Sequence, residues 1–92
     1  MHRHYLEAAV AGQPEAQSVV ANMYFNGDGI AADYVLAYAW ALIAKQSVKY
    51  HEGNLVSTML KADHRLTTKE MNEGEKIAGE WSVGHMMQRI GE

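Results

Sequence analysis

Apolar residues recur with helical spacing between positions 14 and 26. They follow the pattern i, i+3, i+4, i+7, i+8, and they are Ala16, Val19, Val20, Met23 and Tyr24. Residues spaced in this way share one face of an α-helix, so the segment predicts an amphipathic helix over 14–26. Pro14 suits the first turn, where no hydrogen bond is lost, and Gly27 suits the left-handed residue that follows a helix.

A second segment, from Tyr34 to Ala44, is apolar on nearly all sides. A helix of this kind is usually buried between neighbours, so we expect Trp40 to pack in the core. Asp33 precedes the segment, and its carboxylate can accept the first free N–H groups of a helix. Gly29 gives the intervening loop a second flexible backbone position. The two segments together predict a helix, a glycine loop and a second helix.

The remaining segments follow from a 35-residue period, at which Trp40 aligns with Tyr5. Such a period is typical of helical-repeat proteins. Within a single domain, 1–92, it gives the second helix of a partial repeat (2–12), a full repeat (14–47) and a degenerate helix (50–66). The remaining residues are assigned to a capping helix (67–82) and a tail (83–92).

The predicted capping helix begins with Thr67 and Glu70, which have the spacing of a capping box. Its apolar face comprises Met71, Gly74, Ile77, Ala78 and Trp81. Gly74 and Gly79 each weaken a helix by up to ~1 kcal/mol relative to alanine. We therefore expect the stability of the capping helix to depend on its packing against the rest of the protein.

The stretch from Ala8 through Gly12, Pro14-Glu15-Ala16-Gln17 and Met23-Tyr24 to Gly27-Asp28-Gly29-Ile30 and Asp33 resembles a Sel1-like repeat. Val20 stands where that family usually has leucine, and Ala21 where it mostly has glycine. The segment 67–81 is similar to the closing helix of many bacterial Sel1-like arrays. The structural positions predicted on this basis are Gly12, Ala16, Tyr24, Gly27, Gly29, Asp33, Trp40 and Trp81.

The resemblance implies an all-α fold, specifically the C-terminal part of a right-handed α-solenoid of antiparallel helix pairs, tetratricopeptide-like, with about five helices. It also implies a protein–protein interaction adaptor or scaffold, not an enzyme, with no catalytic centre of its own. In helical-repeat arrays the first helices of successive units line a concave face where partners bind.

Composition narrows the classes of function. The chain has 92 residues, one proline and no cysteine, which excludes disulfides, thiolate catalysis and cysteine-bound zinc. A net charge of −3 is too mild to indicate nucleic-acid or anionic-membrane binding. No apolar run approaches the ~20 residues of a membrane-spanning helix. We expect a cytoplasmic protein, or a periplasmic or secreted one if a signal segment is missing from this chain.

Basic residues predominate between Lys45 and Lys69. The segment is interpreted chiefly as a solvated helix surface, with a basic patch for an acidic partner as the alternative.

Known catalytic and metal motifs do not fit this sequence. Matching Gly29 to the invariant glycine of a calcium loop puts Tyr24 and Val35 at ligand positions. His51-Glu52 lacks the second histidine of a metalloprotease helix. We therefore predict no catalytic residue, metal or cofactor.

The predicted partner surface lies off the core stripe of the first helix. Ser18, Asn22 and Phe25 fall at i, i+4, i+7 there. The positions 35 residues later are Gly53, Ser57 and Leu60, and Lys61 follows Leu60. Five of these residues are predicted to contact a protein or peptide partner: Ser18, Asn22, Phe25, Ser57 and Lys61.

Two alternatives remain. One is an accessory or regulatory subunit, or an enzyme, acting on cell-wall or small-molecule substrates, which requires a cleft with paired ionisable groups. The other concerns assembly: a homodimer is predicted through the face of Tyr5, Leu6, Ala8 and Ala9, or through the Met86-Met87 tail. That tail is otherwise a frayed end or a last turn on the capping helix.

Overall fold

The computed structural model describes residues 2–45, 59–61, 63 and 65–80. Four helices have both ends within these ranges: α1 (His2–Val10), α2 (Pro14–Asn26), α3 (Tyr34–Lys45) and α4 (Thr68–Glu80). Residues 59–61 are also helical, and no strand occurs in the described ranges. The all-α class is therefore confirmed.

The helix predicted over 14–26 coincides with α2. The helices α1 and α4 lie within their predicted segments, and α3 extends one residue beyond its apolar segment, to Lys45. Of the predicted degenerate helix over 50–66, only the final part is described. Trp81 and the tail over 83–92 lie outside the described residues.

Gly27 terminates α2 in the predicted way. Its φ of 68° is left-handed, and its N–H donates to the Met23 carbonyl at 2.8 Å. The N–H of Asp28 donates to the same carbonyl at 3.1 Å. Gly29 also has a positive φ, 77°, as does Gly12, 102°, in the turn between α1 and α2. The glycines thus occupy backbone conformations that side chains disfavour.

Asp33 joins the loop to both flanking helices. Its N–H donates to the Tyr24 carbonyl at 3.0 Å, which satisfies a free carbonyl in the last turn of α2. Its Oδ1 accepts from the Leu36 N–H at 3.0 Å, which confirms the predicted cap of α3. One residue therefore closes the loop and begins the next helix.

The helices pack in chain order, α1 on α2, α2 on α3 and α3 on α4. Nine of the twelve residues of α3 are buried. Trp40 is 0% exposed and Tyr38 is 1% exposed, so the predicted core position of Trp40 is confirmed. Leu60 and Leu66 also belong to this core, which connects the segment before α4 to α3.

A buried hydrogen bond joins α1 to α2. The Nε2 of Gln17 donates to the Ala9 carbonyl at 3.0 Å. That carbonyl also accepts from the Gly12 N–H at 3.0 Å. The glutamine of the Glu-Ala-Gln triplet thus has a structural role, which the sequence alone did not reveal.

The apolar face of α1 is less open than expected. Ala9 is fully buried, and Leu6 and Ala8 pack against the core, whereas Tyr5 is 40% exposed. The face predicted to mediate the homodimer is thus open at Tyr5 and closed at Ala9, because α2 packs on α1. The predicted homodimer remains a prediction.

No described helix is both long enough and apolar enough to cross a membrane.

The capping box of α4 is confirmed. The Thr67 Oγ1 accepts from the Glu70 N–H at 3.1 Å, and the Glu70 Oε1 accepts from the Thr67 N–H at 2.9 Å.

Gly74 has a role that the sequence did not indicate. A Cβ there would lie 2.8 Å from Tyr38 Cδ2, so α4 approaches α3 closely at this glycine.

Gly74 and Gly79 form a matched pair of helical glycines with opposite expected effects. Gly74→Ala forces a methyl group against the buried Tyr38 ring, so we expect a loss of about 1–3 kcal/mol of stability. Gly79→Ala meets nothing within 4 Å, and we expect up to about 1 kcal/mol of stabilisation from helix propensity. Urea unfolding followed by circular dichroism measures both. A Gly74→Ala variant as stable as Gly79→Ala would contradict the close approach.

The left-handed conformation of Gly27 predicts a second stability effect. Gly27→Ala places a Cβ in the left-handed region and 3.3 Å from Ala32 Cβ. We expect a loss of about 1–2 kcal/mol. Gly27→Asn is the control, because asparagine tolerates this conformation better, and it should lose less. Thermal melting of the three proteins tests this, and a higher melting temperature for Gly27→Ala would overturn it.

Candidate functional site

Aromatic rings and cationic side chains meet where α2 ends, α3 begins and the segment before α4 passes over both. Tyr34 and Tyr38 lie one turn apart on α3, and Lys61 and Arg65 lie four residues apart on the covering segment. Phe25 near the end of α2 completes this group, which we call the aromatic–cation surface: Phe25, Tyr34, Tyr38, Lys61 and Arg65.

Arg65 is held by both aromatic neighbours. Its guanidinium carbon lies 5.9 Å from the centre of the Phe25 ring and 5.5 Å from that of the Tyr34 ring. Its Nη1 donates to the Tyr34 hydroxyl at 3.0 Å. The two rings are 5.8 Å apart and tilted by 48°. These distances are within the range of cation–π attraction, so the guanidinium has a preferred position on the surface.

The charge of Arg65 is only weakly compensated. The Asp63 Oδ2 lies 3.8 Å from the Arg65 Nε, and the two side chains are 50% and 46% exposed. Exposed ion pairs at this distance contribute little, typically below ~1 kcal/mol. Within the described part of the chain, the other guanidinium N–H groups have no acceptor, so they can donate to an acceptor from solvent.

Lys61 lies over the second tyrosine. Its Nζ is 5.7 Å from the centre of the Tyr38 ring. The ring itself is in the core, and its hydroxyl donates to the Glu75 Oε2 of α4 at 3.4 Å. Tyr38 therefore packs in the core and also lies within cation–π distance of the exposed lysine.

The predicted partner residues have different outcomes. Asn22 and Lys61 are exposed and Phe25 is half-buried, so these three reach the surface. Ser18 is 1% exposed, and its predicted exposure is wrong. Ser57 lies outside the described residues.

The burial of Ser18 follows from the two neighbours of α2. Because α1 and α3 both pack on this helix, they cover a wider arc than the five-residue apolar stripe. The exposed side is left with Glu15, Asn22 and Asn26, at i, i+7 and i+11, while Val19 is half-buried. The Nδ2 of Asn22 donates to the Ser18 carbonyl at 3.2 Å.

Tyr34 and Arg65 were not among the five predicted partner residues, although Arg65 lies in the basic segment for which an acidic partner was the alternative interpretation. A signal was present, since Tyr34 precedes Tyr38 by four residues and Arg65 follows Lys61 by four. Side chains with this spacing share one face of a helix, and both pairs fall in predicted helices, although the structure places Arg65 outside the helical residues 59–61. What the spacing does not reveal is that the two pairs face each other.

The predicted structural positions serve the core and the turns. Ala16, Tyr24 and Trp40 are buried, and Gly12, Gly27 and Gly29 have positive φ. Burial raises the pKa of the Tyr24 hydroxyl, and the negative charge of Asp33 raises that pKa further. Among the residues that the structure describes, the buried Trp40 Nε1 has no hydrogen-bond partner.

A shallow, open groove of about 440 Å³ lies between α3 and α4. Its lining includes Leu42, Ala78 and Gly79, with Lys45 and Glu75 as its charged members. Within the described ranges, no group of three histidine, aspartate or glutamate side chains is placed to hold a metal ion.

Comparisons with protein-family models, with curated proteins and with solved structures give no match for this chain. The Sel1-like assignment therefore stays a prediction, supported by the motif residues themselves.

The raised pKa of Tyr24 predicts a loss of stability at alkaline pH. The fold favours the neutral hydroxyl, so its contribution is fully present below the usual tyrosine pKa of about 10 and is lost as the pH rises through the raised pKa. Tyr24→Phe should therefore lose less stability than the wild type between pH 9 and pH 11. Urea midpoints at both pH values test this.

Tyr5→Phe is the control for that experiment, because it removes a hydroxyl from a ring that is 40% exposed. It should retain the pH dependence of the wild type. An equally steep fall in Tyr24→Phe would contradict the assignment of the effect to Tyr24.

Proposed function

We propose that this chain is a protein-binding module of the Sel1-like type, in which α2, the glycine loop and α3 form one repeat of a right-handed α-solenoid. The packing of each helix on the next in chain order supports this arrangement, because solenoids are built from contacts between sequential elements. The capping roles of Gly27 and Asp33 agree with the helix, loop and helix unit of the motif.

The aromatic–cation surface is the observation that carries the binding function. Arginine and tyrosine are enriched at protein interfaces, and they contribute a large share of the binding energy there. Arg65 is already positioned by two rings, so its binding requires little ordering of the side chain.

Three of the five predicted partner residues, Asn22, Phe25 and Lys61, reach the exposed surface. Phe25 belongs to the aromatic–cation surface itself, as does Lys61. We propose Tyr34 and Arg65 as further contact residues. Ser18 is not proposed as a contact, because its side chain is buried.

Affinity capture from a lysate of the source cells tests the proposed function. The wild-type chain should retain a defined protein. Arg65→Ala should reduce the recovery of that protein about tenfold, as expected for an interface residue whose truncation costs about 1.4 kcal/mol of binding free energy. Lys76→Ala is the matched control, because Lys76 is an exposed cation of α4 outside the surface. A photo-crosslinking residue at position 22 should label the same protein.

Failure to capture any protein would contradict the proposal, and so would equal losses in Arg65→Ala and Lys76→Ala. Circular dichroism of each variant shows that the fold is retained.

The groove between α3 and α4 favours a second candidate function, that of an accessory or regulatory subunit, or an enzyme, acting on small-molecule or cell-wall substrates. Lys45 and Glu75 supply ionisable groups of opposite charge in its lining. A thermal-shift screen against metabolites and cell-wall fragments distinguishes the two functions. A ligand that stabilises the wild type but not Lys45→Ala would favour the second.

A further inference from the structure

We propose that the aromatic–cation surface binds an extended acidic segment of a partner protein, with one carboxylate on Arg65 and a second on Lys61. This inference rests on the proposed protein-binding function and specifies the chemistry of the partner.

The first step is the preparation of Arg65 for a carboxylate. One of its N–H groups donates to the Tyr34 hydroxyl, and its guanidinium lies beside the Phe25 and Tyr34 rings. A guanidinium has five N–H donors and matches a carboxylate with two parallel hydrogen bonds. The contacts to the protein therefore fix the position of the group and leave donors for a ligand.

The second step is the local charge. Lys61 and Arg65 bring two positive charges to the surface. Among the described residues Asp63 is the acidic side chain within ion-pair distance of either, and at 3.8 Å it is half-exposed. Glu75 also borders the surface, because its Oε2 accepts from the Tyr38 hydroxyl at 3.4 Å. The two cations are thus concentrated in one region of a chain of net charge −3. Attraction to an acidic segment is confined to this region and is screened within about 10 Å at 0.1 M salt.

The third step is the spacing of the two cations. They lie over Tyr38 and Tyr34, which are four residues apart on α3 and therefore separated by about 6 Å along the helix axis. In an extended peptide, side chains at i and i+2 point to the same side and are about 6.6 Å apart. The two rings beneath the cations therefore start from backbone positions whose spacing is close to that of alternating side chains, and for this reason the proposed segment has acidic residues that alternate with other residues.

A nucleic acid is a weaker fit to the same surface. Stacked rings and arginine suit single strands, but phosphate backbones are bound by several cations, and here two cations lie on an acidic chain. The experiment below therefore also measures the binding of a single-stranded oligonucleotide.

Fluorescence anisotropy with a labelled ten-residue peptide of alternating glutamate and serine tests the inference. The wild-type chain should bind it saturably, and more tightly than a peptide of the same composition with its glutamates in one block. Arg65→Gln should weaken binding about tenfold, the factor that corresponds to about 1.4 kcal/mol. Arg65→Lys should weaken it less, because it keeps the charge and loses the paired hydrogen bonds.

Two variants separate the local site from general effects. Lys76→Gln removes the same charge from α4 and should change affinity less than twofold if the site is local. Lys61→Gln should weaken binding without disturbing the contacts between Arg65, Phe25 and Tyr34, so the inference stays testable if Arg65→Gln unfolds. Absence of saturable binding, equal effects of Lys76→Gln and Arg65→Gln, or tighter binding of a single-stranded oligonucleotide would overturn the inference.

A random twelve-residue peptide library on phage distinguishes this inference from the proposed function. Enrichment of alternating acidic peptides that lose binding to Arg65→Gln supports both. Enrichment of peptides without acidic residues overturns the acidic partner and leaves the protein-binding function intact. No enrichment at all counts against both.

Discussion

Burial of α3 is the constraint on which the rest of the structure depends. Nine of its twelve residues are buried, with α2 on one side, α4 on another and Leu60 in the same core. A helix that is apolar nearly all round exposes hydrophobic surface until every side is covered. To cover α3, the backbone of α4 comes so close to the Tyr38 ring that a Cβ would not fit between them. Gly74 allows this approach because it has no side chain. It also leaves the Tyr38 hydroxyl at the rim, where Glu75 accepts its hydrogen bond.

The start of α3 is fixed by the loop that precedes it. Gly27 reverses the chain at the end of α2, and Asp33 bonds to both helices through its backbone and its carboxylate. Tyr34 is the next residue, so the position of its ring follows from the geometry of the loop. Because Tyr34 supports Arg65, the loop sets the position of the exposed cation as well. The stability of the turn and the geometry of the candidate site are thus linked through one residue.

The features that sequence predicted are those governed by local rules. The ends of α2, the cap at Asp33 and the capping box of Thr67 and Glu70 each involve residues within four positions of one another, so spacing alone identifies them. Ser18 and Gly74 depend on which helices lie next to them. The prediction for Ser18 was wrong because a single apolar stripe does not show that two helices cover α2. The close contact at Gly74 could not be predicted because propensity treats it as any other helical glycine.

The candidate site was partly predictable for the same reason. Phe25 was identified by its offset from the core stripe and Lys61 through the 35-residue period, whereas the contacts of Arg65 with Phe25 and Tyr34 join residues 31 or more positions apart. The resulting surface is supported by the core. Tyr38 is buried and still lies under Lys61, so the exposed cations rest on the best-packed helix of the protein. A site supported in this way loses little conformational entropy when it binds, which favours recognition by a small number of well-placed contacts.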